Sequence, residues 1–274
     1  MIMGFSVNTN VGAMAALQSL NSTNKSLATT QSRINTGMNV ASTKDDSATF
    51  AIAQTLRGDM GGLKAVGSSL NRAKSTVDVA VAGAEQISDL VNQMKSKAIE
   101  ASDAGLDANS RTALANDFNG LKDQINTVID SSEFNGTNLL KAAGGTVAAL
   151  QSTDMAAATL DVANQDMTAV VTAIGATFTD AATAETMVGT LETQAAAINT
   201  KMSTLGAASR KIEGQQTFVG KLSDVIESGI GNLVDADLAK ESARLQALQV
   251  KQQLGVQALS IANQAPQTIT SLFR

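Results

Sequence analysis

Residues 232–274, NLVDADLAKESARLQALQVKQQLGVQALSIANQAPQTITSLFR, decide the reading of this chain because they are apolar on two faces instead of one. One stripe runs Val234, Leu238, Leu245, Leu248, Leu259 and Ala262, at steps of three and four or their multiples, the spacing of one helix face. A second runs Ala243, Ala247, Val250, Leu254, Ala258 and Ile261. A helix of about 30 residues reaches on the order of 45 Å, so neither stripe can be hidden inside one compact globule of ordinary size. One face needs a partner helix, and the other needs another molecule. That pattern belongs to an assembling subunit rather than to an enzyme.

The partner helix lies at the opposite end of the chain. Asn8, Thr9 and Asn10 are good capping residues, and Ala13, Leu17, Leu20, Leu27 and Ile34 then keep a heptad rhythm up to Gly37. Asn24 and Gln31 fill the remaining seam positions, where polar residues lower stability while fixing register. The terminal pair is therefore expected to be weak by itself. Ser42 and Asp45 resemble a capping box that opens the next helix. Its stripe of Ile52, Leu56, Leu63, Val66, Leu70, Ala73, Val77, Ala80, Ala84, Ile87, Val91, Met94, Ala98 and Ala101 has one miss, at Asp59. A polar loop over 102–110 precedes an antiparallel return carrying Leu114, Phe118, Leu121, Ile125 and Val128.

Asn135-Gly136 is a turn pair, and Gly144-Gly145 breaks the chain again. Residues 141–182 are the least patterned; they read as hairpins and loops on the outside, with short strands near 146–150 and 159–162. From Val188 the heptads resume through Leu191, Ala195, Ile198, Met202, Leu205, Ile212, Val219, Ile226, Ile230 and Leu233. The stripe shifts from Leu233 to Val234 beside Gly229 and Gly231, which predicts a hinge there. The expected fold is mainly α: a long helical hairpin with a terminal coiled coil, a middle helical bundle and a small β-hairpin or loop tip. Residues 1–36 and 235–274 form the coiled coil, 37–140 and 183–234 the bundle, and 141–182 a short solvent-facing segment.

Composition agrees with this plan. The chain of 274 residues has one Pro, 3% aromatic residues, and no Cys, His, Trp or Tyr, so long helix seams of small and medium side chains must carry its stability. Without Cys and His there is no thiol chemistry, no zinc motif and no imidazole base, and no cofactor or catalytic constellation is expected. Scattered Lys and Arg in a chain of net charge -5 leave no footprint for nucleic acid, and no apolar run is long enough for membrane insertion. The first ten residues, MIMGFSVNTN, lack the basic region and apolar block of a secretory signal, so export is expected without a cleaved signal peptide.

The segments SVNTNVGAMAALQSLN, SRINTGMNVASTKDD and SSEFNGTNLL, together with the closing stretch quoted first, resemble the bacterial flagellins, of the short alpha-proteobacterial type. The resemblance covers roughly the first 140 and last 85 residues; residues 141–182 do not carry it. It implies a structural subunit that polymerises with itself into the flagellar filament for motility. The terminal pair would form the inner filament core, the middle bundle the outer wall, and 141–182 would face solvent. Seam and subunit contacts would come from Leu17, Leu20, Leu27 and Ile34 at one end and Leu238, Leu245, Leu248, Val250, Leu254, Leu259 and Ile261 at the other. The implied partners are a secretion chaperone that masks the last helix, a filament cap and hook-junction proteins, and the implied location is the extracellular filament. Some flagellins also present an immune-receptor surface centred on an Arg and a Leu one turn apart. Those positions fall at Gln93 and Lys97 here, with a nearby family acid at Asp117, so that surface is altered. The alternative within the same resemblance is a hook-filament junction protein with flagellin-like termini. An enzyme is the alternative from another class; a metalloprotease insert would need an HExxH helix, and the chain has no His.

Overall fold

Periodic apolar residues with almost no proline to interrupt them run as long helices. The computed structural model describes residues 9–154 and 159–271, with side-chain surroundings given through Gln264. The described residues form α1 (Val11–Thr36), α2 (Ser47–Ala101), α3 (Ala108–Ser131), α4 (Thr168–Ile174), α5 (Ala181–Val234) and α6 (Leu238–Ser271). The strands β1 (Val147–Ala149) and β2 (Leu160–Val162) pair antiparallel, Val147 opposite Val162. The mainly α expectation holds, and both strands fall where the sequence placed them.

The described residues divide into two compact units, one holding those up to Gly58 and from Val225 onward, the other those from Asp59 to Asp224. Residues 37–58 and 225–234 fall in the first unit, where Val40, Ala53, Ile230 and Val234 are buried together against Phe50, Leu56 and Ile226. In the second unit the α2 stripe from Leu63 to Ala101 is buried as expected, against Phe118, Ile125 and Ile129 of α3 and Leu191, Ile198, Leu205 and Ile212 of α5. Phe118 meets Phe178 edge to face at 5.3 Å between ring centroids, a favoured aromatic geometry. Lys74 to Glu213 and Lys95 to Glu192, both at 2.8 Å, register α2 against α5; exposed pairs of this kind add little stability. Arg111 donates to the carbonyls of Ala101, Asp103 and Leu106, capping α2 and fixing the turn into α3.

Four sequence expectations change. Residues 141–182 are not only hairpins and loops on the outside: Ala149, Leu160, Val162, Met167, Val170, Val171, Ile174 and Phe178 are buried, and α4 is an added helix. Alternation along the strands and the spacing in α4 turn these residues inward, a signal diluted in sequence by Ala and Thr. The start of the α2 seam runs through Ala53, Leu56 and Met60, while Ile52 and Asp59 are exposed, so the miss at Asp59 is a phase error of one residue. The Ser42–Asp45 exchange forms in the preceding turn, and α2 itself is capped by Asp46, which accepts from the backbone of Ala48 and Thr49. Finally, α5 continues through Gly229 and Gly231 to Val234, and the break follows it. There Asn39 and Val40 donate to the Val234 carbonyl, and Ala236 donates to that of Gly37.

The Asn135-Gly136 turn has φ of 51° and 81°, the left-handed pair of a tight hairpin turn between the bridged residues Phe134 and Thr137. Just after it, buried Asn138 donates to the Ile129 carbonyl at 2.6 Å and accepts from the backbone of Leu140 and Lys141. Asn138→Ala would strand these buried groups and is expected to cost about 2–3 kcal/mol, read as a shifted denaturant midpoint.

Hydrogen bonds hold four capping or turn carboxyls below the ordinary carboxylate value: Asp45 by the Ser42 hydroxyl, Asp46 by the Thr49 hydroxyl, Asp107 by the Ser110 hydroxyl and Asp180 by the Thr183 amide. A depressed folded-state value means that the stabilisation is present above the unfolded value and is lost as pH falls through the folded one. Helicity measured by circular dichroism should therefore fall below about pH 4, and the fall should flatten when Asp46, Asp107 and Asp180 are all replaced by Asn, which caps without titrating.

Candidate assembly interface

α1 and α6 pack antiparallel in one register. Asn10 caps α1 by accepting from the Ala13 amide at 2.9 Å and donates across to the Ala262 carbonyl at 2.7 Å. Leu20 lies against Gly255, where an added Cβ would come within 3.2 Å of its side chain, so the missing side chain admits the leucine. Gln252 donates to Asn24 at 2.8 Å, and Arg33 reaches Glu241 at 3.3 Å. Asp237 caps α6 by accepting from the Lys240 amide.

The seam of α1 runs through Ala13, Ala16, Leu20, Thr23, Leu27, Thr30 and Ile34. Thr23 and Thr30 are buried, whereas Asn24 and Gln31, expected in the seam, are exposed, and Leu17 is 48% exposed. The two heptad phases share Ala13, Leu20, Leu27 and Ile34, and Leu17 favours the wrong one in sequence. Threonine serves here because its methyl packs while its hydroxyl bonds within the helix, as Thr23 does to the Ser19 carbonyl. On α6 the seam is Glu241, Leu245, Leu248, Gln252, Gly255, Leu259 and Ala262. Leu238, assigned to that stripe, is 49% exposed, and Glu241 holds the position at the foot of the seam.

The second α6 stripe is uncovered in the single subunit: Val250 is 56%, Leu254 59% and Ile261 69% exposed. Val256 on α6 and Val11 and Met14 on α1 add to this apolar surface, and no periodicity argument had singled them out. Their common signal was available in sequence as apolar residues off the seam. In the other unit, Gln93, Lys97 and Asp117 line one open cleft between α2 and α3, where Lys97 pairs with Asp117 at 3.2 Å. Among the described residues no group of acids could hold a metal ion, and no helix is long and apolar enough to cross a membrane.

Comparison with known proteins agrees with the helical geometry at both ends. Residues 7–145 match the bacterial flagellin N-terminal helical region, and residues 188–273 match the bacterial flagellin C-terminal helical region. The chain is 46% identical to flagellin FljK of Caulobacter vibrioides over 98% of both chains. It is 38% identical to a flagellin of Brucella melitensis, covering 98% of this chain and 99% of that one. A crystal structure of Bacillus cereus flagellin shares the fold over 54% of this chain and 86% of its own, with a TM-score of 0.50 at 24% identity. With both terminal helical regions matched and relatives aligned almost end to end, the chain belongs to the bacterial flagellin family.

Proposed function

We propose that this flagellin polymerises through the apolar flanks that α1 and α6 leave uncovered. As a family member it is a structural subunit of the flagellar filament, an extracellular homopolymer used for motility. The observation that carries the proposal is the exposed stripe of Val250, Leu254 and Ile261 opposite the α1 seam. Outward Leu17 and Leu238 join it as subunit contacts, while Leu20, Leu27, Ile34, Leu245, Leu248 and Leu259 close the pair itself. Head-to-tail contacts that do not close on themselves generate an open helical polymer.

The α1–α6 seam is thin, with leucines only partly buried and several small or polar positions. In the free subunit these helices are therefore disordered, and they fold on joining neighbours that cover their second faces. This coupling restrains free subunits from polymerising. In the assembled filament the terminal pair lies inward, the bundle of α2, α3 and α5 forms the wall, and the exposed side of 141–182 faces solvent. Before assembly a secretion chaperone covers the α6 stripe, and after export cap and hook-junction proteins receive the subunit. No catalytic step enters this reading.

The uncharged Gln93, and a Lys97 already engaged by Asp117, replace the Arg and apolar contacts of the immune-receptor surface. Such contacts dominate binding energy at interfaces. A receptor reporter assay should give weak or no response; full potency would overturn this part.

A fragment lacking residues 1–35 and 240–274 should stay soluble and helical and form no filaments by electron microscopy; filaments from it would show that the ends are dispensable. In the full chain, Val250→Asp with Leu254→Asp should abolish elongation from filament seeds while the thermal transition of the bundle stays in place.

A further inference from the structure

The tightest point of the α1–α6 pair is polar. Through Gln264, Glu241 is the one buried residue of α6, and the buried residues of α1 are Thr23 and Thr30. Glu241 Oε1 lies 3.3 Å from Arg33 Nη1 and 3.8 Å from Arg244 Nη1. Glu241 Oε2 and Arg33 Nε are buried with no partner. Arg33 sits in the last turn of α1 and Glu241 in the first turn of α6, each favourable to its own helix dipole. The heptad at 241 would accept a leucine, so a carboxylate there is not a packing requirement.

Glu241 is buried while the Arg33 side chain is 27% exposed; such a partly buried pair with unsatisfied atoms adds little net stability, because desolvation offsets the attraction, yet separating its members leaves the buried Glu241 charge without its partner. Away from Leu20 at Gly255 and the Asn24–Gln252 and Asn10–Ala262 hydrogen bonds, the rest of the seam consists of Leu, Ile, Ala and Thr side chains, most of them only partly buried, that discriminate poorly between pairings. We propose that Arg33 and Glu241 are positioning residues for polymerisation. At this end of the seam they favour closure of α1 and α6 in the register that joins them, adding to the Asn24–Gln252 and Leu20–Gly255 contacts, and they keep the pair too weak to close in a free subunit. The inference rests on the reading above that the terminal pair folds on joining the filament.

The test uses the full chain, comparing native protein with the double variant Arg33→Leu, Glu241→Leu and the single variant Glu241→Gln. The readouts are far-ultraviolet helicity of the free subunit, the lag before unseeded polymerisation, and elongation from sheared filament seeds. Removing both charges should raise free-subunit helicity and shorten the unseeded lag by on the order of tenfold. Glu241→Gln removes the carboxylate that contacts Arg33, leaving it the more distant attraction of Asp45, and should slow seeded elongation by about as much, with the thermal transition of residues 59–224 unchanged. A double variant with native helicity and lag, or a Glu241→Gln subunit elongating at the native rate, overturns the proposal. Failure of the underlying reading would show separately, as a native free subunit whose α1 and α6 amides are already protected from hydrogen exchange.

Discussion

Two helices can cover only one stripe of each other, and α1 and α6 each carry more apolar surface than one stripe holds. Leu20, Leu27 and Ile34 meet Leu245, Leu248 and Leu259 across the seam, while Met14, Leu17, Val250, Leu254 and Ile261 face outward. No rearrangement of an isolated pair removes this excess, because rotating either helix to bury one stripe exposes the other. The excess is satisfied only when further helices surround the pair, which is what a homopolymer of identical subunits supplies.

The unit built from Asp59–Asp224 solves the same problem within one chain. The inward stripe of α2 is covered on one side by α3 and on another by α5, and Leu70, Ile87 and Met94 are completely buried. The segment after the Asn135-Gly136 turn contributes its own inward face, with Phe178 closing on Phe118. A core of this kind needs no second molecule. One part of the sequence thus has its apolar faces covered within the chain while another leaves a face bare, and that division is a matter of how many apolar faces each helix carries and how many neighbours the chain provides.

Polar groups specify arrangement in both units more than they add stability. Asn10, Asn24 and Gln252 place α1 and α6 along each other through hydrogen bonds that a displaced register would lose. Arg111 and Asn138 do the same for the turns that end α2 and α3. In a chain whose apolar side chains are mostly small and repetitive, shape complementarity discriminates poorly, and directional contacts carry the selection.

The sequence by itself determined that the chain is a set of long helices, where most of them begin and end, that the chain turns at Asn135-Gly136, and that the last helix is apolar on two sides. Those features are local: periodicity, capping side chains and left-handed turn residues act within a few residues of themselves. The shared positions Leu20, Leu27 and Ile34 were legible for the same reason. Which of two heptad phases faces the partner was decided only in three dimensions, since both Ala16 with Thr23 and Leu17 with Asn24 complete the same repeat, and Leu17 points to the phase the structure does not use. The choice belongs to the opposing surface, where Gly255 receives Leu20 and Glu241 meets Arg33, and an isolated helix carries no record of the surface that will oppose it.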